Sequence, residues 1–453
     1  MAKQLYDYWF VQFDFPNKEG KPYKSSGGKM VWNDKLKREI PEGWYCGTLL
    51  DIAQYTNGLA CQKFRPTDDD KLPVIKIKEM HDGITPETEY VRSNIPDAVK
   101  VFDGDVLFSW SASLEVMLWA YGRGGLNQHI FKVTSNNGYP RSFYFYQLLD
   151  YIGNFKRMAE ARKTTMGHIT QDHLRQSTIA LPHNTAITNK LEDKIAPIFD
   201  CIVRNSQEIM SLTKQRDELL PLLMNGQVSV NYDLAECNLI IFTKNLIFVK
   251  DLKCIFMARY KLKDCFLLIK NGAVIQQRKE AAGYPITRIE TLSNGRFNRD
   301  RMGYADIFDI TPYTDYILDD YDILMSHINS REFLGRTVLY RKEGDESIIH
   351  GMNVLRIKTN PALFDAEYAN YFFQTAYFKK LIDSIRKDAI NQSSIAISDI
   401  CGLEIDLPSI EEQRQIAAVL SRIDRKISIN RAINHNLPTP VHSLVMATAR
   451  HAV

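Results

Sequence analysis

The stretch from Thr185 to Asn225 constrains this chain more than any other. In TAITNKLEDKIAPIFDCIVRNSQEIMSLTKQRDELLPLLMN, Ile187, Leu191, Ile195, Ile198, Ile202, Ile209, Leu212 and Leu219 recur at steps of three, four and seven residues, with charged and amide side chains between them. That spacing draws one apolar stripe along one side of a helix. At about 1.5 Å per residue the helix would reach roughly 60 Å, far beyond the usual three turns, so it needs a partner of similar length to bury its stripe. Pro197 lacks a backbone donor and is expected to kink the rod or to start it. Gly226 supplies the expected stop.

The partner is found by sliding the sequence along itself by 225 positions. Leu191 then falls on Ile416, Ile195 on Leu420, Ile198 on Ile423, Ile202 on Ile427, Asn205 on Asn430 and Leu212 on Leu437. IEEQRQIAAVLSRIDRKISINRAINHNL is therefore a second helix of the same pattern. A buried amide wants a polar partner, so the Asn inside each stripe is expected to fix the register of the pair. Phe199, Val203, Leu220, Leu222 and Leu223 add apolar positions beyond one seam and are read as surface for outside partners.

The segments in front of the helices repeat as well. Residues 1 to about 40 are aromatic and then polar, with KEGKPYKSSGGK reading as a loop. Its SSGGK is not a phosphate-binding loop, which would need Gly at Tyr23 and Ser or Thr at Met30. From Ile40 to Pro182 strands are predicted at Leu72 to Lys78, Val101 to Ser109, Glu115 to Tyr121 and His129 to Val133. The helix SFYFYQLLDYIGNFKRMAE, the polar loop ARKTTMGHIT and a short strand ending in Leu181 and Pro182 complete the first copy. Beyond the long helix, Pro285-Ile-Thr-Arg-Ile repeats Pro73-Val-Ile-Lys-Ile, Tyr321-Asp322-Ile-Leu-Met-Ser326 repeats Gly104-Asp105-Val-Leu-Phe-Ser109, and Leu407-Pro408 repeats Leu181-Pro182. The offset drifts from 212 to 217 to 226, as it does when loops of different length are inserted into one duplicated fold.

Composition excludes more than it reveals. With 453 residues, 45% hydrophobic and 25% charged, the chain reads as ordinary globular protein with room for two to four domains. No apolar run approaches a membrane span and MAKQLYDYWFVQFDF is unlike a signal peptide, so the expected location is the cytoplasm. The seven cysteines form no CxxC pair and read as scattered reduced thiols. A net charge of +3 leaves room for basic faces on a nearly neutral whole.

Two similar heads held apart by a rigid rod suit a long repetitive target, of which duplex DNA is the commonest. The loops agree. In the first copy Lys63, Arg65, Lys76, Lys78, Arg123, Asn127, Gln128, Arg162, Lys163, Thr164, Thr165 and His168 lie in or beside turns. In the second, Arg296, Asn298, Arg299 and Arg301 of NGRFNRDRMGY are followed by His327, Asn329, Arg331, Arg336, Lys387, Asn391 and Gln392. Arg can bridge guanine and Asn or Gln adenine in the major groove, while Lys, Ser and Thr suit phosphates. Taken one at a time, each residue is better explained as a solvated surface charge; their clustering in loops of matched location is what points to a binding surface.

LYDYWFVQFDFPNKEGKPYKSSGGKMVWNDKLKREIPEGW, FDGDVLFSW and YDILMSHIN, the Leu-Pro junctions before the long helices, LPSIEEQRQIAAVLSRIDRKI and RDELLPLLMNGQVSV together resemble the specificity subunit of type I restriction-modification enzymes. The resemblance spans nearly the whole chain and occurs twice. It implies an α+β fold: two β-rich target-recognition domains, each reading half of an asymmetric bipartite DNA sequence, separated by two long antiparallel helices forming a coiled-coil spacer. The expected division is 1–183 and 229–408 for the two heads, 184–228 and 409–453 for the helices with a tail after Pro440. By the same resemblance the helices dock two methyltransferase subunits, and restriction/translocase subunits complete the enzyme. S-adenosylmethionine, ATP and Mg would belong to those partners, with no cofactor in this chain. In the family's usual order the aromatic segment follows a mid-chain helix; opening the chain with it is the arrangement expected if half-genes were shuffled.

Catalysis by the chain itself finds little support. A Gly-rich cofactor turn and an [ND]PP[YF] segment are missing, and NPALF at Asn360 fails at the second Pro. Asp97, Asp103 and Asp105 are a faint version of a magnesium-binding nuclease cluster. Asp105 is matched by Asp322 before an apolar strand in both copies, which favours a turn role. His168 and His173 have no third ligand, so neither a metal site nor a catalytic residue is expected. The alternative to a subunit is a free-standing two-headed DNA-binding protein, which would bind its site tightly without partners.

Overall fold

The computed structural model describes residues 1–111, 114–161, 169, 171–227, 257–278, 283–293, 295–388 and 392–436. The chain divides into two compact units, Met1–Leu212 with Lys426–Val453, and Thr213–Arg425. The long helix runs as one element of 39 residues, Ala186–Met224, and Gly226 follows it with φ 66°. Pro197 neither starts nor ends it. The reason is tertiary: Leu191 and Ile195 before the proline and Phe199 and Val203 after it are buried in the same core, so packing holds the turn whose hydrogen bond is lost.

In the first unit the central antiparallel sheet has the order Ala53–Asn57, Ile130–Ser135, Val106–Ser109, Glu115–Leu118. The helix Arg141–Ala161 packs against it, with Phe155 stacked 6.0 Å from Phe108. A second sheet joins Tyr90–Arg92, Lys71–Ile75, Gly124–Leu126 and Lys100–Val101. Three of the four expected strands are shorter than predicted, while the fourth, Ile130–Ser135, runs two residues past Val133. Residues 76–78 leave the sheet because Lys76 begins the helix Ile77–Asp82, and the expected run from Val101 to Ser109 is split by a turn at 102–105. The aromatic opening segment is core: Tyr6, Trp9, Phe10, Phe13 and Phe15 bury themselves with Phe143, Tyr146 and Phe199. Residues 18–29 are loop and turn as expected, and after them comes the hairpin Met30–Asn33 and Arg38–Pro41, for which no strand was predicted. Trp44–Gly47 pairs with Ile179–Pro182, bringing the two ends of the head together.

The second unit repeats this frame. Its central sheet has the order Phe266–Asn271, Val354–Thr359, Ile323–Ser326, Thr337–Leu339, and Ala258–Lys261 pairs with Glu404–Leu407. The agreement reaches single hydrogen bonds. Asp105 accepts from the Phe102 N–H at 2.8 Å and Asp322 from the Asp319 N–H at 2.7 Å. Both precede their strand through a left-handed residue, Gly104 at φ 87° and Tyr321 at φ 67°. Asp105 pairs with Lys132 at 2.8 Å, and Asp322 with Arg356 at 2.7 Å. The turn reading of both aspartates is what the geometry gives.

Within the first unit, the Lys426–Asn436 part of the last helix, Ile410–Asn436, lies against the long helix with numbers falling as the other's rise. Asn205 Nδ2 donates to Asn434 Oδ1 at 3.0 Å, while Asn430 Nδ2 donates to Glu208 at 2.7 Å. The two asparagines that match in sequence are therefore not partners. Antiparallel helices bring together positions of constant sum, and equivalent positions of a repeat have constant difference. Within the second unit Arg216 donates to Asp424 at 3.0 Å, and Tyr371 Oη donates to the same carboxylate at 2.6 Å. Ile416, Leu420, Ile423 and Ile427 are all buried, as are Leu191, Ile195 and Leu212; Ile198 and Ile202 are half-buried, and Leu437 lies outside the described residues. Phe199 and Val203, read as surface for partners, are instead buried in the first unit, where Phe199 stands edge-on to Phe145 at 5.0 Å. Leu223 is also buried, and only Leu222 of that group is exposed. Among the described residues no helix is long and apolar enough to cross a membrane.

Candidate nucleic-acid interface

The loops that leave one end of each central sheet converge. In the first unit Asn57 and Gly58 end the edge strand, Gln128 and His129 precede its neighbour, and Trp110 follows the third strand. Trp110 Nε1 donates to Asn57 Oδ1 at 3.1 Å, and its ring lies 5.7 Å from that of His129. Gln128 and His129 approach side chain to side chain at 3.4 Å. Ile169 N–H donates to Trp110 O at 3.0 Å, which brings the end of the polar loop to this corner. Arg162, Lys163, Thr164, Thr165 and His168 themselves lie outside the described residues. His173 is buried in a short helix, and no group of three or more His, Cys, Asp or Glu among the described residues could hold a metal ion.

At the same end of the second sheet stand Asn271 and Gly272, Met352 and Asn353, and the loop from His327 to Arg336. Ile395 N–H donates to His327 O at 3.0 Å, the counterpart of Ile169 with Trp110. A small three-stranded sheet joins Ile328–Asn329, Ser393–Ser394 and Lys387–Asp388. Residues about sixty apart in sequence are thereby gathered: Asn329, Arg331, Arg336, Lys387 and Gln392, with Asn391 outside the described residues. Arg331 and Gln392 are exposed. Arg336 lies 4.4 Å over the Phe333 ring, and Lys387 pairs with Asp399 at 3.2 Å. His327 is buried, and burial lowers its pKa, which favours the neutral ring.

Two basic residues outside the predicted set, Lys379 and Arg386, belong to this group. Lys379, on the helix Ala376–Ile385, donates to Arg331 O at 2.9 Å and Leu334 O at 2.8 Å, tying down the arginine loop. Burial, together with the nearby Arg386, Arg331 and Arg336, holds its ammonium below the ordinary lysine range, only partly offset by Asp383. Arg386 is itself held by Asp383 and Asp388, so Lys379 with Arg331 and Arg336 makes up the cationic side of this corner that is left to favour an anion. The contribution of Lys379 was hidden because a helix about forty-five residues downstream supplies it.

The other predicted residues are distributed differently. Lys76 follows Ile75, whose carbonyl accepts the Asn127 N–H at 3.0 Å, so it stands beside the first corner; it pairs with Glu89 at 2.6 Å. Lys78 pairs with Glu87 at 3.6 Å. Lys63 and Arg65 are exposed. Arg123 is exposed too, but precedes the far end of the Gly124–Leu126 strand. Asn127 is buried, and its Oδ1 accepts from the His129 N–H. In the second unit the Arg296 to Arg301 run lies at the opposite end of the Ile323–Ser326 strand from the arginine loop. Arg299 there is bound to Glu346 at 2.6 Å and Glu343 at 2.9 Å and to Arg341 O at 2.8 Å. Glu346 is held down to about 2, chiefly by that hydrogen bond with Arg299. Asn298 caps the next turn through Asp300 N–H, Arg296 is half-buried, and Arg301 is exposed.

The family described as type I restriction modification DNA specificity domain matches residues 41–217 and again 257–439. The chain belongs to that family, which it carries twice. It is 39% identical over 174 residues to a candidate type I restriction enzyme MjaX specificity subunit of Methanocaldococcus jannaschii, covering 38% of this chain and 41% of that relative. The chain thus spans less than half of that relative's own length. To the type I restriction enzyme EcoKI specificity subunit of Escherichia coli it is 20% identical over 402 residues, covering 83% of this chain and 81% of the other. The crystal structure of the S subunit of a type I restriction-modification system from M. genitalium matches in fold with a TM-score of 0.52 at 14% identity, covering 89% of this chain and 95% of that one.

Proposed function

We propose that this chain is the specificity subunit of a type I restriction-modification enzyme and reads an asymmetric bipartite sequence in duplex DNA, one half with each unit. The observation that carries this reading is the repeated frame: two units with one strand order and one aspartate turn, but different side chains at the same loop corner. Equal frames with unequal corners suit two half-sites of unequal sequence. The family membership and the arginine loop of the second unit support it. The two long helices act as a coiled-coil spacer between residues 1–183 and 229–408 and as the docking surface for two methyltransferase subunits, with restriction/translocase subunits completing the enzyme. Methyl transfer from S-adenosylmethionine and ATP- and Mg-dependent cleavage reside in those partners. Methylome mapping in cells expressing the chain with its methyltransferase subunits tests this, and a two-part asymmetric motif is expected. Equally tight site-specific binding by the chain with and without the partners would sink the subunit reading in favour of a free-standing DNA-binding protein.

A further inference from the structure

The duplicated frame identifies which residues differ at a position the backbone holds constant. Asn127 bridges Leu59 in parallel register, as Gly351 bridges Ala273. Gln128 N–H then donates to Leu59 O at 2.9 Å, and Met352 N–H to Ala273 O at 3.1 Å. The strand turning into each bridge ends in the same dipeptide, Asn57-Gly58 and Asn271-Gly272. A Cβ on Gly58 would lie 2.2 Å from Asn127 O, and one on Gly272 2.0 Å from Gly351 O, so only glycine allows this approach. Gln128 and Met352 are therefore the same backbone position, pinned on both sides, with unlike side chains.

Those side chains differ in a way that a surface under no demand does not explain. Gln128 is half-buried and offers an amide. Met352 is 46% exposed, and Val274, at the position of Ala60, is 82% exposed. Two large apolar groups thus stand in solvent at the end of the sheet that also carries Arg331 and Arg336. A glutamine amide can bridge the N6 and N7 of adenine, whereas an apolar group can pack on the thymine methyl. Cations at the rim supply the attraction for phosphates.

We propose that Gln128 and Met352 are the corresponding specificity-determining residues of the two heads, Gln128 reading adenine through its amide and Met352 making apolar contact with a thymine methyl. This rests on the DNA-reading function proposed above. The test uses the chain assembled with its methyltransferase subunits to select duplexes from a randomised pool, so that preference is read whether or not methylation follows. Gln128→Met should reduce selection for adenine at one position of one half-site about tenfold, leaving the other half unchanged. Met352→Gln should change one position in the other half. An unchanged motif, or a uniform loss of binding with the same preference, overturns the proposal, as does a Met352→Gln variant that fails only to assemble. Thermal unfolding of each variant verifies that the heads remain folded. Gln128→Ala is the second probe and should relax the same position without creating a new preference; if the adenine preference persists in it, Gln128 is not the reader. A wild-type complex that selects no two-part motif removes the function itself, not this assignment alone.

Discussion

Asn205 and Asn434 meet amide to amide at 3.0 Å, and the second amide also donates to Ile202 O at 3.2 Å and Ser206 Oγ at 3.0 Å. This is the polar register mark of the helix pair within the first unit, displaced by one turn from the asparagine that the repeat would nominate. A double-mutant cycle with Asn205→Ala and Asn434→Ala should give a coupling of about 0.5–1.5 kcal/mol in the unfolding of the first unit. The cycle between Asn205 and Asn430 should give a coupling near zero. Coupling of the second pair instead would mean that the helices run in a different register.

Asp322 and Arg356 form a buried ion pair, with side chains 0% and 5% exposed. Burial raises the Asp322 carboxyl above its ordinary range despite the arginine beside it. Asp322→Ala leaves Arg356 inside the protein with the exposed Asp319 carboxylate and the Asp315 carbonyl, and should cost about 3–5 kcal/mol of stability. The equivalent Asp105→Ala should cost less, because Asp105 and Lys132 retain 23% and 13% exposure. Thermal unfolding of both variants checks the order, and equal losses would contradict the ranking by burial.

A third prediction concerns acid. His350 is buried, its Nε2 lies 2.7 Å from Val354 O, and burial pushes its pKa down from 6.5 to about 4. The folded state thus keeps the ring neutral while the unfolded state takes up a proton. Stability from this group is complete above about pH 6.5 and is lost progressively as pH falls towards 4. His327, lowered for the same reason, acts in the same direction. The first unit has Leu126 at the position of His350, since Leu59 and Ala273 donate to these two carbonyls at the same distance of 2.8 Å. His350→Leu should therefore flatten the fall in unfolding temperature of the second unit between pH 6.5 and 4. A slope as steep as the wild type's would assign the acid sensitivity elsewhere.

The sequence made the large features legible because their signals are long or repeated. The stripe from Leu191 to Leu219 had to be a helix, and Asp105 with Asp322 marked one turn used twice. What remained hidden depends on residues distant in the chain. Periodicity could not say which side of the long helix meets its own head, so Phe199 read as surface although Phe145 and Tyr146 cover it. Arg299 stands among the candidate DNA contacts because Glu346, forty-seven residues away, is invisible to composition. Conversely, the repeated Asn-Gly of Asn57-Gly58 and Asn271-Gly272 was a usable signal at an offset of 214, and it marks the corner where both heads open.

The last prediction separates the two arginine groups of the second unit. Arg331 is exposed and Arg336 rests on Phe333, both on a loop that Lys379 holds through two carbonyls. Among the described residues neither side chain forms an ion pair with a carboxylate, so each can turn to a phosphate or a base. Arg299, by contrast, is occupied by Glu343, Glu346 and the Arg341 carbonyl. If Arg331 and Arg336 hold phosphates, replacing either with Ala should weaken binding to all sequences and reduce the slope of log affinity against log salt by about 1. If either reads a base, preference at one position should relax at a cost of about 1–3 kcal/mol. Arg299→Ala should do neither; it should lower the unfolding temperature of the second unit and leave the salt slope unchanged. Binding measured on specific and scrambled duplexes across a salt series, beside thermal unfolding, distinguishes the three outcomes. A salt slope reduced by Arg299→Ala and untouched by Arg331→Ala would move the DNA-facing surface of this head to the other end of its sheet.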